Sequence, residues 1–499
     1  MIRPLHNIRS AWVRHRIWSF LFLPTLYLLL LIPSPSLKPA MPAGRKPFLW
    51  NQDRYWASLE SSYVAARGMG CENLKHSIRI GLTESERLTM ALSSAHHPVE
   101  DTLYDAIERN TFGLGPKVAA CPAYMQEYIT SLGAMRSAVK NQSRDWDMNA
   151  LPARDRIYRL LYGSRAAIEE VMLQASPSAV PGSILCDDEP SSTPSATILG
   201  VRVHSGDILV SRGGAATSAL IARGNDYPGN FSHVALVHVD SAGRVSIIES
   251  HIEKGVAIAS IDDYLRDTKL RVMVLRLRSD LPELVVDPML PGKAASYALH
   301  AAQTKHIPYD FSMDFNDTTA FFCSEVASYA YRKFGITLWM GISSISTLGV
   351  SSWLASFGVK HFETQEPSDL EYDPQLRVVS EWRDPRVLFK DHVDNAVIDA
   401  MLEGAERGEN LDYDWYLLPV GRVGKAYSVV LNLFGTVGPV PEGMSVTAAL
   451  RNVKFTARHA MIKAEVLKRA QEFERIKGYV PPYWELLRLA RETKTGLGL

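Results

Sequence analysis

The sequence lacks several features by which protein classes are recognised. Lysine plus arginine equals aspartate plus glutamate at 54 each, so the chain has no excess of positive charge of the kind expected in a nucleic-acid-binding protein. It contains no glycine-rich phosphate loop, no HExxH zinc motif and no internal repeat. We therefore expect no nucleic-acid partner, no metal and no cofactor. At 499 residues of ordinary globular composition, the chain is long enough for two or three domains.

Acidic residues are absent from the N-terminus, where four arginines precede an apolar run over residues 17–32. These arginines are Arg3, Arg9, Arg14 and Arg16. A basic start, an apolar run and a Pro- and Ser-rich stretch are the layout of a secretory signal. The run is slightly shorter than the ~20 residues of a spanning helix. Residues 1–45 are therefore predicted to be a cleaved signal peptide or a retained signal-anchor, and both place the protein in the cell envelope.

Cysteine is scarce, with only four residues in the chain: Cys71, Cys121, Cys186 and Cys323. Their spacing does not form a zinc motif of the CxxC type. An exported protein can form disulfides, and Cys71 with Cys121 is the pairing that we favour because both lie in the N-terminal region. The alternative is that all four cysteines are unpaired and buried.

The periodicity of apolar residues divides the rest of the chain into segments. Residues 46–175 show the spacing of helices and are predicted as a helical N-terminal domain. Residues 176–197 are rich in serine and proline and are predicted as a linker. Residues 198–345 combine strand-like alternation with helices, and residues 346–499 are predicted as a mostly helical extension. The predicted fold class is α+β.

A hairpin over residues 234–250 is the clearest strand signal in the sequence. Residues 241–243 predict a three-residue loop with Gly243 in the left-handed conformation, which is a common hairpin geometry. This loop would pair Asp240 with Arg244. Every other cross-strand pair of the hairpin follows from that register.

The same register pairs His233 with His251 and places Glu249 two residues away from direct pairing with His233. Side chains alternate between the two faces of a strand, so all three are predicted to share one face. Such diagonal neighbours lie ~7–8 Å apart at the backbone, within reach of a side-chain hydrogen bond.

Cys323 lies between a polar run and a segment with helical spacing of apolar residues. Those residues are Val326, Tyr329, Ala330 and Phe334. The positive end of a helix dipole lowers the pKa of a thiol placed there, so Cys323 is predicted to be a reactive thiolate. We expect its helix to pack on the sheet face that carries His233.

Five segments, taken in order, resemble a known family. They are SGDILVSR (205–212), FSHVALVHV (231–239), VSIIES (245–250), IPYDFSMDF (307–315) and FFCSEVASYAYRKFGI (321–336). As an ordered set they are similar to the permuted branch of the NlpC-type papain-like cysteine hydrolases, the YiiX/YaeF-like group. In that branch the His-bearing hairpin precedes the Cys-bearing helix. The resemblance covers roughly residues 199–345 and implies a papain-like core with a small antiparallel sheet.

Hydrolysis of an amide needs a nucleophile, a base, a group that orients the base, and donors for the oxyanion. Cys323, His233 and Glu249 are predicted to fill the first three roles, and the resemblance implies the same roles for them. The backbone N–H of Cys323 is the predicted oxyanion donor. Each residue taken alone would more often be structural; the set, in family order, predicts a catalytic triad.

Three further residues are predicted to contact the substrate: Tyr309, Asp310 and His251. His251 shares the face of Glu249 and is an alternative orienting group for His233. Tyr309 and Asp310 belong to an acidic and aromatic run that would line a wall beside the thiol. The alternative for that run is a structural loop leading into the helix.

The predicted function is that of an exported cysteine amidase or peptidase. Cell-wall peptides are the favoured substrate, because the superfamily to which the resemblance points often cuts them. A lipid or acyl amide or ester hydrolase or acyltransferase is the alternative, which would suit an anchor at residues 17–32 and the apolar segment 416–441. A non-enzymatic, surface-anchored binding protein on a hydrolase-like core is a second alternative. The sequence does not indicate an oligomeric state.

Overall fold

The structure is a computed structural model. It describes residues 24–35, 39–40, 42, 44–49 and 54–499. The four N-terminal arginines and the first part of the apolar run lie outside these residues, so the predicted signal or anchor is described only from residue 24 onwards. Within the described part of the chain, no helix combines the length and the apolarity needed to cross a membrane.

Residues 54–173 form a helical N-terminal region, as predicted. Its helices are α1 Arg54–Met69, α2 Cys71–Ser94, α3 Thr102–Ala120, α4 Met125–Gln142 and α5 Leu151–Leu173. Asp101 caps α3 by accepting a hydrogen bond from the Leu103 N–H at 2.8 Å. A disulfide between Cys71 and Cys121 joins the start of α2 to the end of α3, which confirms the favoured pairing.

Eleven strands form in the described chain. They are β1 Ser183–Leu185, β2 Ser195–Ile198, β3 Val201–His204, β4 Ile208–Gly213, β5 His233–Val239, β6 Val245–His251, β7 Gly255–Ala259, β8 Lys269–Leu277, β9 Ser343–Ser344, β10 Glu363–Thr364 and β11 Leu376–Arg383. Seven of them build one antiparallel sheet in the order β1-β11-β8-β4-β5-β6-β7. The fold is therefore α+β, as predicted.

This sheet extends beyond the segment predicted for its domain, residues 198–345. Strand β1 lies inside the predicted linker 176–197, and β11 lies about thirty residues past the predicted end. Both strands are added at the β8 edge, where β11 pairs with β8 and β1 pairs with β11. Pairing between strands so distant in sequence leaves no local signal, because it depends on where the chain returns to the sheet.

Ten further helices follow the N-terminal region in the described chain. They are α6 Ala216–Arg223, α7 Ile261–Arg266, α8 Pro282–Val286, α9 Leu290–Thr304, α10 Glu325–Arg332, α11 Leu348–Phe357, α12 Leu388–Glu406, α13 Leu418–Asn432, α14 Val446–Lys477 and α15 Tyr483–Gly496. Helices α11, α12, α14 and α15 share a core that includes Val397 and Phe455 and that reaches α6. The predicted helical extension is confirmed, and it packs directly against the sheet domain.

The β5–β6 hairpin has the register predicted from the sequence. Ala235 lies opposite Glu249, and the Asp240 N–H donates to the Arg244 carbonyl at 3.0 Å. Gly243 has a φ of 79°, the left-handed conformation that the three-residue loop requires. The loop therefore fixes which side chains of β5 and β6 share a face.

The two faces of the sheet carry different partners. Val234 and Leu236 of β5 pack with α9 and α10 on one face. Ala235 and Val237 pack with β2, β3 and Tyr264 on the other face. By alternation, the side chains of His233 and Glu249 belong to the second face.

Buried ion pairs attach the N-terminal helices to the sheet. On the α4 and α5 side, Arg136 and Arg165 reach Glu381 of β11 at 3.2 and 3.0 Å. Glu169 of α5 contacts Arg271 of β8 at 2.5 Å. Burial raises the pKa of Glu381, but the neighbouring arginines outweigh it and hold the pKa below its usual range. The carboxylate is therefore charged and bound by several arginines in the interior.

Removing the charge of Glu381 should destabilise the fold strongly. Glu381→Gln leaves Arg136 buried without its ion-pair partner and removes one of the two carboxylates that Arg165 contacts, and breaking a buried pair in this way costs about 3–5 kcal/mol. Urea titration of the variant and the wild type measures this loss as a difference in the free energy of unfolding. The matched control is Glu84→Gln, since Glu84 forms an exposed pair with Arg87; it should leave the unfolding midpoint unchanged. Equal effects of the two variants would contradict the prediction.

Candidate active site

His233 and Glu249 are joined by a short hydrogen bond. His233 begins β5 and Glu249 lies in β6, with a distance of 2.7 Å between His233 Nε2 and Glu249 Oε2. Glu249 is almost fully buried, whereas His233 is partly accessible. Since Nε2 faces the carboxylate, Nδ1 is the ring nitrogen that is left to face a substrate or a thiol. The diagonal pair predicted from the hairpin register is thus present.

His251 shares the same carboxylate. Its Nε2 lies 3.0 Å from Glu249 Oε1, and the centroids of the His233 and His251 rings are 5.5 Å apart. The sequence left open whether Glu249 or His251 contacts the second nitrogen of His233. In the structure Glu249 does so, and His251 binds the other oxygen of Glu249.

Cys323 lies two residues before α10, at the place where β5 begins. Its Sγ is 3.9 Å from the carbonyl oxygen of Ser232, and the backbone N–H groups of Val234 and Ser324 are directed towards the sulfur. The expectation that α10 packs on the face of His233 is wrong, because its apolar side chains pack on the opposite face with Val234. The thiol instead reaches the backbone of β5 beyond the last paired residues of the hairpin.

The pKa values differ from the expectation for a thiol at a helix start. Burial raises the pKa of Cys323 to about 12, and the N–H groups of Val234 and Ser324 offset only part of that rise. The expected lowering is therefore wrong. The helix begins at Glu325 rather than at Cys323, and the buried thiolate would lose its hydration. The thiol is protonated at neutral pH.

The imidazole of His233 is also uncharged at neutral pH. Burial lowers the pKa of His233, Glu249 opposes this effect, and the neighbouring Lys269 and His251 lower the pKa further. Burial raises the pKa of Glu249, but the hydrogen bonds from the two histidines outweigh it and hold that pKa well below its usual range. The site thus combines a neutral thiol, a neutral base and a fixed negative charge behind the base.

One cavity of about 210 Å³ contains the predicted nucleophile and base. Cys323, His233, His251 and Tyr309 all line it. Asp310 lies elsewhere: its carboxylate accepts hydrogen bonds at 2.7 Å from the backbone N–H groups of Ser312 and Asp314 in its own loop. Of the three residues predicted to contact the substrate, His251 and Tyr309 therefore line the cavity. Asp310 is instead bonded within its own loop, as the alternative of a structural loop predicted.

Two residues of the site were not predicted from the sequence. Lys269, at the start of β8, lines the cavity and forms an ion pair with Asp267 at 2.8 Å. Ser250 donates to the Phe321 carbonyl at 2.7 Å and so ties the loop that carries Cys323 to β6. Ser250 alternates with Glu249, so its direction could have been inferred from the hairpin; the position of Lys269 depends on distant strand pairing.

His233, Glu249 and His251 are also a group that could hold a metal ion. One ligand atom from each residue lies within 4.8 Å of the others. Within the described residues, however, the two imidazole–carboxylate contacts use the Nε2 atoms and both carboxylate oxygens. A metal would have to replace these hydrogen bonds, which already orient both imidazole rings.

Alkylation of Cys323 in the resting enzyme should become faster with pH up to and beyond pH 9. The neutral thiol is the stable form below its pKa of about 12, and only the thiolate reacts with iodoacetamide. Mass spectrometry of the Cys323 peptide measures the rate at each pH, and the Cys323→Ala variant identifies the background. A rate that levels off near neutral pH would show an activated thiolate and contradict this electrostatic assignment.

Part of the chain matches a known protein family. Residues 202–380, which are 179 of the 499 residues, match the family described as permuted papain-like amidase enzyme, YaeF/YiiX, C92 family. No curated protein and no solved structure matched the chain. The matched residues contain His233, Glu249 and Cys323 and end within β11. Residues 202–380 of this chain are therefore similar to the permuted papain-like amidases of the YaeF/YiiX family, and this similarity supports a cysteine hydrolase.

Proposed function

We propose that this protein hydrolyses an amide bond in the cell envelope with a triad of Cys323, His233 and Glu249. The observation that carries the proposal is the 2.7 Å bond from a buried Glu249 to His233, which lines the same cavity as Cys323. A base fixed by a carboxylate next to a thiol is the arrangement needed for nucleophilic catalysis on a carbonyl.

The first half of the reaction forms an acyl-enzyme. His233 Nδ1 takes the thiol proton as Cys323 Sγ bonds to the carbonyl carbon of the substrate. The carbonyl oxygen gains the negative charge, and the backbone N–H of Cys323 donates to it. The C–N bond then breaks, and the imidazolium gives its proton to the leaving amine. A thioester on Cys323 remains.

The second half releases the acid. His233 takes a proton from a water molecule as the water oxygen bonds to the thioester carbonyl carbon. The C–S bond breaks, the carboxylic acid leaves, and the proton on His233 returns to sulfur. In both halves Glu249 stabilises the imidazolium and fixes which nitrogen is protonated, while His251 holds the other oxygen of Glu249.

Cell-wall peptides are the proposed substrate class, since superfamily resemblance and the predicted export both favour them. A lipid or acyl amide is the second candidate. The observation that favours it is the exposed apolar surface of α13, where Val420, Val423 and Val430 are each more than half exposed. A non-enzymatic binding role has less support, because Cys323 and His233 line one cavity and a buried carboxylate is hydrogen-bonded to His233.

Cys323→Ala and His233→Ala should each remove nearly all turnover. The two act as one unit, so each single loss should cost at least about 10⁴-fold in kcat. The assay offers the purified full chain cell-wall peptides and, separately, N-acyl amides in micelles, and detects the released amine. The control is Cys186→Ala, which removes the other free cysteine at a position outside the cavity and should leave turnover unchanged. Turnover by Cys323→Ala at the wild-type rate would refute the mechanism. The substrate that the wild type cleaves faster decides between cell-wall peptides and acyl amides.

The acid limb of kcat/KM should lie below pH ~6.5, the ordinary value for histidine, because the pKa of His233 is lowered and the base must be neutral. Glu249→Gln should move the limb to lower pH, since the carboxylate raises the pKa of His233. It should also reduce kcat while leaving measurable turnover. His251→Gln should move the limb to higher pH, because His251 lowers that pKa. Shifts in the same direction would show that the two residues do not act on His233 as assigned.

A further inference from the structure

Helix α13 presents large apolar side chains to solvent along one stripe. The stripe recurs every three or four residues and continues just past the end of the helix, with exposed fractions from 51% to 80%. It consists of Val420, Val423, Tyr427, Val430 and Phe434. Residues at this spacing share one helix face, so the stripe is continuous. Helices at the surface of soluble proteins turn such a stripe towards the core.

After its first turn, where Leu418 and Pro419 are buried, α13 turns small residues towards the protein instead. A Cβ on Gly421 would come within 2.5 Å of Val446 in α14, so glycine is required for this contact. Ser428 is fully buried and accepts a hydrogen bond from the Val440 N–H at 2.9 Å. The helix thus packs on the protein through glycine and serine and exposes valine, tyrosine and phenylalanine. This inversion indicates that the outer face has an apolar partner.

The charges of the segment favour a lipid partner over a protein copy. Residues 416–441 contain Arg422 and Lys425 and no acidic residue. Trp415 and Tyr416 are exposed at the start of the segment. Amphipathic aromatic rings next to basic side chains are typical of helices that lie in the headgroup region of a bilayer with anionic lipids. Two copies of this face would bring like charges together.

The N-terminal apolar run reaches the same surface. The Arg422 guanidinium donates to the Leu30 carbonyl at 3.0 Å and also to the Ile32 carbonyl. Leu28 and Leu29 beside this contact are exposed. The described end of the predicted signal-anchor therefore contacts the helix that exposes the stripe. An anchor and an interfacial helix that start from one point can enter the same bilayer.

We propose that the stripe of α13 and the exposed side chains of residues 24–32 form a membrane-docking surface that lies in the headgroup region of a bilayer containing anionic lipids. The anchor holds the chain at the membrane, and the docking surface fixes its orientation there. This assignment does not depend on which bond the catalytic cavity cleaves.

The docking surface is connected to the catalytic cavity through the loop that follows α13. Lys425 Nζ donates to the Pro441 carbonyl at 2.6 Å. In the same loop a Cβ on Gly443 would lie 2.7 Å from the Phe311 ring and 3.0 Å from the Tyr309 carbonyl oxygen. Tyr309 lines the cavity. The wall of the cavity is thus packed on the loop that holds α13, which places the cavity close to the bilayer surface.

Spin-label accessibility in the full chain tests the docking surface. Single labels are placed at Val430→Cys and Phe434→Cys in a background of Cys186→Ser and Cys323→Ala, and the protein is reconstituted into phosphatidylglycerol-containing vesicles. Both labels should collide often with oxygen and rarely with a water-soluble nickel complex. Val286→Cys and Ile476→Cys are the matched controls, because both are exposed apolar residues outside the surface; their labels should remain accessible to nickel.

The possible results distinguish a lipid partner from a protein partner at the docking surface. Nickel access at Val430 and Phe434 equal to that at the controls would overturn the proposal. Low access to both oxygen and nickel would show that protein covers the stripe, from a second copy or from the N-terminal residues, and would also overturn it. If the two labels lie as deep in purely zwitterionic vesicles as in phosphatidylglycerol-containing vesicles, the assignment to anionic lipids is overturned. The experiment measures label accessibility and not activity, so a negative result for the docking surface would not count against the proposed hydrolysis.

Discussion

The antiparallel register between β5 and β6 determines where the groups of the catalytic cavity lie. Pairing Ala235 with Glu249 puts the carboxylate diagonal to His233 and leaves His251 on its other side. A slip of one residue would turn Glu249 into the apolar core under α9 and α10. A buried carboxylate without donors is costly enough to exclude that register. The left-handed Gly243 fixes the loop length and therefore selects the pairing that places the site.

In the proposed mechanism, burial has two opposite effects at this site. It suppresses the resting charges of Cys323 and His233, so the ground state holds no thiolate–imidazolium pair. It also strengthens the interaction between Glu249 and the imidazolium that forms during attack, because charges interact more strongly in a medium of low dielectric. Stabilisation that appears only when charge develops lowers the barrier without stabilising the resting enzyme. The fixed carboxylate compensates for the absence of an activated thiol.

The site could be predicted from the sequence where it depends on local geometry. The hairpin register follows from one turn and strand alternation, and it was confirmed together with the His233–Glu249 contact. The face on which α10 packs and the pKa of Cys323 depend on how the chain returns to the sheet after α9, which no local pattern specifies. Arg165 and Arg271 could not be recognised as interior residues for the same reason, since their partners lie more than one hundred residues away.

The two additions to the catalytic domain are held by different forces. The N-terminal helices contact the sheet through buried ion pairs, in which desolvation opposes attraction and geometry decides the outcome. After its first turn, where Leu418 is buried, helix α13 packs through Gly421 and Ser428, which bury little apolar area, while the large side chains of its stripe remain outside. Each such side chain forgoes part of the roughly 1.5–3 kcal/mol that full burial would contribute. Folding in water alone would favour the reverse orientation of this helix, so its outward stripe is best explained by a partner that supplies the missing apolar environment.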